Sequence, residues 1–256
     1  MVRLSLIGLG ISDEKGVSVS GSERIREADA VFAEMFTSIL REGSIERLSI
    51  FIGREIEVLE REQVEETGIV LDALRKGKDV CFLTAGDPLT ATTHQDIRLQ
   101  ALKEGFEVEI INSGSIYTAA AGYAGLQHYK FGRTTTLPFP EENYFPTSPL
   151  EVIAENLSRG LHTLVLLDIQ AQRGRFMTAS EGCSLLLEME RTEGKGALLG
   201  SSMAVAVLRA GRGDWKVLYG ELSKLKEIDM GAPPHCLIIP GRLHFMEEEM
   251  LGLFRI

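Results

Sequence analysis

Residues 84 to 96 read "TAGDPLTATTHQD", directly after the apolar run "DVCFL". The segment sets Gly86, Asp87 and Pro88 side by side, then Thr90, Thr92 and Thr93, then His94. A plain turn does not need that much polar chemistry. It leaves the carboxyl end of a strand-like run, the place where open α/β sheets bind their ligands. Gly86 lets another group approach the backbone closely. Asp87 offers a carboxylate, and Pro88 stiffens the turn. The threonine hydroxyls can hydrogen-bond a ligand or cap the helix that begins near His94, and Thr93 is read as that helix's N-cap. The ordinary structural role of Asp87 is an Asx-turn, so this turn taken alone marks no site.

Two further polar turns change the weighing. "IGLGIS" (7–12) leaves the first strand through two glycines. It lacks the third glycine of a dinucleotide fingerprint, because position 13 is Asp, and "DEKGVSVSGSERI" delays the next helix. A pyrophosphate needs a helix N-terminus at that turn, so a Rossmann NAD site is rejected. "NSGSIYTAAAG" (112–122) supplies the third turn, where Ser115 can cap a helix of small residues. Three such turns on strand ends of one sheet make a ligand-binding edge.

The chain carries no Gly-x-Ser-x-Gly nucleophile elbow and no HExxH or CxxC spacing. Its three cysteines, Cys81, Cys183 and Cys236, lie far apart in apolar surroundings and read as buried small hydrophobes. No metal is expected, and no nucleophile, base and orienter stand together. Such an edge suits a reaction whose electrophile comes from a cofactor, and methyl transfer from S-adenosylmethionine is one such reaction. The protein then has to bind, align and desolvate the two partners.

The elements that must position these turns follow from hydrophobic periodicity. "VRLSLIG", "AVFAE" (30–34), "EIEVL" (55–59), "DVCFLTAG" (79–86) and "FEVEII" (106–111) read as strands, several of them apolar throughout, as strands covered on both faces are. Amphipathic "REQVEETGIVLDALRKGK" and "HQDIRLQALKEG" read as helices closing at Gly77 and Gly105. This alternation implies an α/β fold with a mainly parallel N-terminal sheet. Residues 131 to 149 hold four of the eight prolines and read as a long loop. A helix "PLEVIAENLSRG", a strand "TLVLLD" and a helix opened by the capping box "TASE" (178–181) come next. "MAVAVLRAG", "KVLYGEL" and "CLIIPG" then follow without a long helix between them, which implies a mixed sheet. Two α/β domains are expected, 1–113 and 114–256.

Composition bounds the function classes. The chain has 256 residues, 44% hydrophobic and 25% charged, with a formal charge of −10. That charge argues against nucleic acid and anionic membranes as partners. No apolar stretch reaches the ~18 residues a membrane span needs. A cytoplasmic protein is expected.

"IGLGISDEKGVSVSG", "AEMFTS", "LTAGDPLTATTHQDIRLQA", "NSGSIYTAAAGYAGLQHYKFGRT", "RGLHTLVLLDI", "FMTASE", "LRAG" and "GAPPHCLIIPGRLH" together resemble the diphthine synthase family, within the wider tetrapyrrole-methylase fold. The resemblance runs from residue 1 to about residue 246, and "GDPLTATTH" and "GLHTLVLLDI" are its specific parts. It implies two α/β domains with S-adenosyl-L-methionine in the cleft between them, and a homodimer. It implies methylation, to a trimethylammonium in archaeal members, of the amino group on the 2-(3-carboxy-3-aminopropyl)histidine of translation elongation factor 2. The product of the cofactor would be S-adenosyl-L-homocysteine, and a chain this short and plain suggests an archaeal source. Cofactor contacts would fall on Ile11, Asp87, Thr90, Ser115, Ile116, Leu167, Leu208 and His235, mostly through the backbone; Thr90 stands where a small apolar residue is expected. The motifs offer only His162 and His235 as bases, with a structural role favoured for His162, so no catalytic residue is assigned. Phe139, Tyr144 and Phe145 are candidate anchors for the protein substrate, or packing at the dimer contact. Two alternatives stay open. One is a tetrapyrrole (precorrin-type) methyltransferase, for whose many carboxylates a −10 chain without an evident Arg cluster is a poor host. The other is a non-catalytic S-adenosylmethionine or nucleotide sensor, distinguished by the absence of turnover.

Overall fold

The computed structural model describes every residue except Met1, Thr67, Asn143 and Tyr144. The chain divides into two compact units, Met1–Ile116 and Tyr117–Ile256.

In the first unit, strands β1 (Arg3–Gly8), β2 (Ala30–Glu34), β3 (Glu57–Leu59), β4 (Val80–Thr84) and β5 (Glu107–Ile111) form one sheet in the order β3-β2-β4-β1-β5. Every pairing in it is parallel. Parallel neighbours need crossovers, and helices α1 (Val19–Glu27), α2 (Ser44–Ile52), α3 (Arg61–Glu65), α4 (Ile69–Arg75) and α5 (Gln95–Lys103) provide them. All five residues of β4 are buried, as its uninterrupted apolar run requires of a strand with covered faces. A core of Ile7, Leu9, Ile25, Leu48, Cys81 and Leu83 packs one such face. The delay after the first strand is real: a 3-10 turn at Glu14–Gly16 precedes α1, which Ser18 caps by accepting the Gly21 N–H.

One expectation is corrected here. Residues 61 to 78 are not a single helix, because Gly68 sits at φ +67, a left-handed conformation in which a right-handed helix cannot continue. The capping box of Glu60 and Gln63 opens α3 instead, and α4 starts afresh after Gly68.

The second unit holds a mixed sheet, β11-β10-β12-β7-β6, of β6 (Thr135–Leu137), β7 (Thr163–Leu167), β10 (Met203–Leu208), β11 (Lys216–Glu221) and β12 (His235–Ile239). Only β6 and β7, joined through helix α7 (Ser148–Ser158), pair in parallel; the other three pairings are antiparallel. The proline-rich segment is thus not all loop, but its strand β6 stays at the sheet edge, where proline neighbours do no harm. Helix α8 (Ala179–Glu193) opens on the expected capping box of Thr178 and Glu181 and ends at Gly194, φ +62. It packs Cys183, Leu186 and Met189 against a core with Leu137, Val165 and Leu237. The helix of small residues expected after Ser115 is α6 (Ile116–Ala124), and smaller elements unread in the sequence complete the unit: the hairpin β8 (Ile169–Gln170) and β9 (Arg175–Phe176), and helices α9 (Leu222–Leu225) and α10 (Phe245–Gly252). No helix among the described residues is long and apolar enough to cross a membrane.

Candidate functional site

Because β1 lies between β4 and β5, the turns that follow these three strands are neighbours at one sheet edge. They are also bonded to one another. The Gly10 N–H donates to the Gly86 carbonyl at 3.1 Å and the Gly86 N–H to the Gly10 carbonyl at 2.7 Å. Both glycines have left-handed backbones, φ +76 and +83. A Cβ on Gly8 would stand 2.6 Å from the Gly86 oxygen and 2.8 Å from Ser113 Cβ, so only glycine admits this approach. Ser113 Oγ donates to the Gly16 carbonyl at 2.9 Å and ties the third turn to the first.

Asp87 organises the middle turn. Its Oδ1 accepts the Leu89 N–H at 3.1 Å, an Asx-turn, and the Thr90 hydroxyl at 2.9 Å. Its Oδ2 accepts the Asn112 amide at 2.8 Å. Partial burial pushes its carboxyl up, but these donors and the Ser113 N–H outweigh burial and hold it below the ordinary carboxylate range. Most of its acceptor positions are therefore used within the fold. Ile11, Asp87, Thr90, Ser115 and Ile116 are all partly exposed and reachable by a ligand. Thr93 is not the helix cap: α5 starts at Gln95 after His94, and the Thr93 hydroxyl instead faces Glu65 at 3.4 Å.

Behind this turn lies a pair that the sequence reading passed over. Glu34, at the end of β2, and His94 are 0% and 1% exposed. Glu34 accepts the Phe36 and Thr37 N–H groups at 2.9 and 3.0 Å, together with the Thr37 hydroxyl. His94 Nδ1 lies 3.1 Å from the Pro88 carbonyl oxygen. A carboxylate closing the buried run "AVFAE" is the one signal that pointed there.

In the second unit, Leu208 stands in register opposite His235, and Leu166 opposite Cys236, so Leu167, His235 and Leu208 come to one end of that sheet. All three are buried, at 8%, 8% and 1% exposed. His235 Nδ1 accepts the Ala179 N–H at 3.2 Å, and Arg209 approaches its Nε2 at 3.3 Å. Burial and then the Arg209 charge push its pKa down to about 4. A ring with its lone pair engaged and so low an affinity for protons is not a general base.

His162 sits before β7, at the end of that strand opposite Leu167, and is fully buried. Its Nδ1 accepts the Gly241 N–H at 2.9 Å and its Nε2 faces Glu247 at 3.1 Å, the structural role expected of it. Phe139 and Phe145 are not exposed anchors. Phe139 is 3% exposed beneath the Arg175 guanidinium, Phe145 packs on the same core, and Tyr144 lies outside the described residues. Apolar side chains in this segment are satisfied by the unit's own core. The three cysteines are buried, with thiols pushed up to about 12 by burial. Among the described residues no group of three His, Cys, Asp or Glu could hold a metal ion.

Chemically, the first edge offers carboxylate charge, peptide groups and hydroxyls, the equipment of a binding site for a polar, partly cationic molecule. The chain is similar to known proteins. The family model for tetrapyrrole (corrin/porphyrin) methylases matches residues 3–223. A diphthine synthase from Methanocaldococcus jannaschii is 48% identical over 250 residues, 97% of each chain. Another from Methanothermobacter thermautotrophicus is 45% identical over 97% of this chain and 94% of its own. A crystal structure of diphthine synthase superposes with a TM-score of 0.88 at 37% identity, covering 99% of this chain and 96% of the other. The chain belongs to the tetrapyrrole methylase family, in its diphthine synthase branch, and is a methyltransferase.

Proposed function

We propose that this protein uses S-adenosyl-L-methionine to methylate the amino group of the 2-(3-carboxy-3-aminopropyl)histidine of translation elongation factor 2, through to the trimethylammonium, in diphthamide biosynthesis. The observation that carries the reading is the mutual bonding of the Gly10 and Gly86 turns with Asp87 beside them, in a chain 48% identical to a diphthine synthase along nearly its whole length.

The residues fit the cofactor. A methyl donor of this kind carries a cationic amino-acid end and ribose hydroxyls. Asp87, whose Oδ2 accepts the exposed Asn112 amide, would meet its cationic end with charge. A Cβ at Gly86 or Gly114 would meet nothing within 4 Å, so the peptide groups there border open space. Ile11, Asp87, Thr90, Ser115 and Ile116 would hold the cofactor from the first unit. When bound, the cofactor supplies an electrophilic methyl group. The chain's own task is to bind, align and exclude water. The accepting amine must be neutral, and an aliphatic ammonium with a pKa near ~10 is mostly charged at neutral pH. Desolvation lowers that pKa and favours release of the proton to water. With His162 and His235 both engaged in the fold, no side chain is assigned as base.

The test is mass spectrometry of elongation factor 2 bearing the aminocarboxypropyl histidine after incubation with the protein and S-adenosylmethionine. A gain of three methyl groups on that residue is expected, and an unmodified residue refutes the proposal. We also propose a homodimer, for which light scattering should give twice 28.2 kDa.

A further inference from the structure

His94 is 1% exposed, yet only one of its ring nitrogens has hydrogen-bond partners. Nδ1 lies 3.1 Å from the Pro88 carbonyl and 3.3 Å from Thr84 Oγ1. Nε2 is buried without a hydrogen bond, 3.6 Å from Glu34 Oε1. Glu34 cannot move closer, because two backbone N–H groups and the Thr37 hydroxyl fix its carboxylate. A buried polar atom left without a partner destabilises the fold. The ring also packs edge-on against Phe82, with centroids 5.0 Å apart, a contact that needs no nitrogen. What an imidazole adds here over an apolar side chain of similar size is the bond from Nδ1.

The partner of that bond sets the tautomer. A carbonyl oxygen only accepts, so Nδ1 carries the hydrogen. Pro88 is the third residue of the Gly-Asp-Pro turn. That turn is held on its outer side by Asp87 and Asn112. Ala91 follows it at φ +57, a left-handed conformation costly for any residue but glycine. A segment with such a residue keeps its shape only where its surroundings hold it.

We propose that His94 is a positioning residue for the Gly-Asp-Pro turn: its Nδ1–H, donated to the Pro88 carbonyl, holds the turn in the shape that presents Asp87 and Thr90. The consequence for affinity rests on the reading that this turn contacts the methyl donor; the consequence for the turn itself does not.

Three measurements decide it. In the wild-type protein, nitrogen-15 NMR of the His94 ring should show a protonated Nδ1 and a bare Nε2; the opposite tautomer overturns the proposal. In His94→Leu, amide exchange at Leu89 and Thr90 should accelerate at least tenfold while β1 and β4 keep their protection. S-adenosylhomocysteine affinity by calorimetry should fall about tenfold, since one lost hydrogen bond is worth that order. His94→Asn, which keeps an N–H near the Nδ1 position, should bring both readouts back to within about threefold of wild type. Unchanged exchange in His94→Leu, uniform loosening of the unit, or no rescue by Asn overturns the proposal and makes His94 a core residue only. If the leucine variant does not fold, the tautomer and the asparagine variant still decide. If wild-type protein fails to bind S-adenosylhomocysteine, the cofactor reading falls, and exchange at Leu89 and Thr90 judges His94 by itself.

Discussion

Replacing Asp87 separates its two tasks. In Asp87→Ala, the Leu89 N–H, the Thr90 hydroxyl and the Asn112 amide lose their acceptor together. A hydrogen bond to a charged group is worth about 1.5–3 kcal/mol, but at this half-exposed place water takes over much of each, so a total near 2 kcal/mol is expected. For a protein of this size that lowers Tm by roughly 4–8 °C. Asp87→Asn is the sharper probe. An amide oxygen preserves the Asx-turn, and the Asn112 amide can turn its own oxygen toward the new N–H, so stability should fall by less than about 1 kcal/mol. The negative charge is gone nonetheless. If the carboxylate attracts the cationic end of the cofactor, affinity should fall about tenfold, equivalent to about 1.4 kcal/mol. Differential scanning calorimetry and titration calorimetry on both variants provide the assay. Asp87→Asn binding S-adenosylhomocysteine as tightly as wild type refutes a role for the charge. Asp87→Ala melting with the wild type refutes the turn argument.

Three further outcomes follow from the second unit and the thiols. Burial pushes the Glu247 carboxyl up, but Lys130, the Gln127 and His244 N–H groups and His162 outweigh it and hold it at about 2. Its folded pKa is depressed, so its contribution is complete above the usual carboxylate range and is lost as pH falls toward about 2. Glu247→Gln should flatten that window in an acid titration of stability and cost about 3 kcal/mol, because Lys130 and His162 lose a buried partner. His235, held at about 4, likewise stabilises the neutral form, and its contribution should fade as pH drops from about 6.5 to about 4; urea melts of His235→Ala across that window should show a shallower pH dependence. A thiol reagent should leave all three cysteines unmodified in native protein and label all three in denaturant, since their thiols are buried and pushed up to about 12.

Local chemistry made much of this legible from the amino-acid sequence. The glycines of "IGLGIS" and "TAGDP", the apolar runs that alternate with amphipathic ones, and the Thr178–Glu181 capping box act through neighbours in the chain. Their consequences, turns at strand ends, a parallel sheet and a helix start, can therefore be read residue by residue. Other features needed the tertiary structure because their partners are distant in sequence. Strand order alone brings Gly10 to Gly86 and Asp87 to Asn112. Glu34 and His94 are 60 positions apart and meet only because β2 lies beside β4. Phe139 looked like an anchor in a proline-rich loop, and packing took it into the core beneath Arg175. His162 and His235 share a residue type, yet one faces Glu247 and the other a helix N-terminus beside Arg209. A histidine's proton affinity is set by burial and by the charges that packing brings to it, and no local pattern in the chain carries that information.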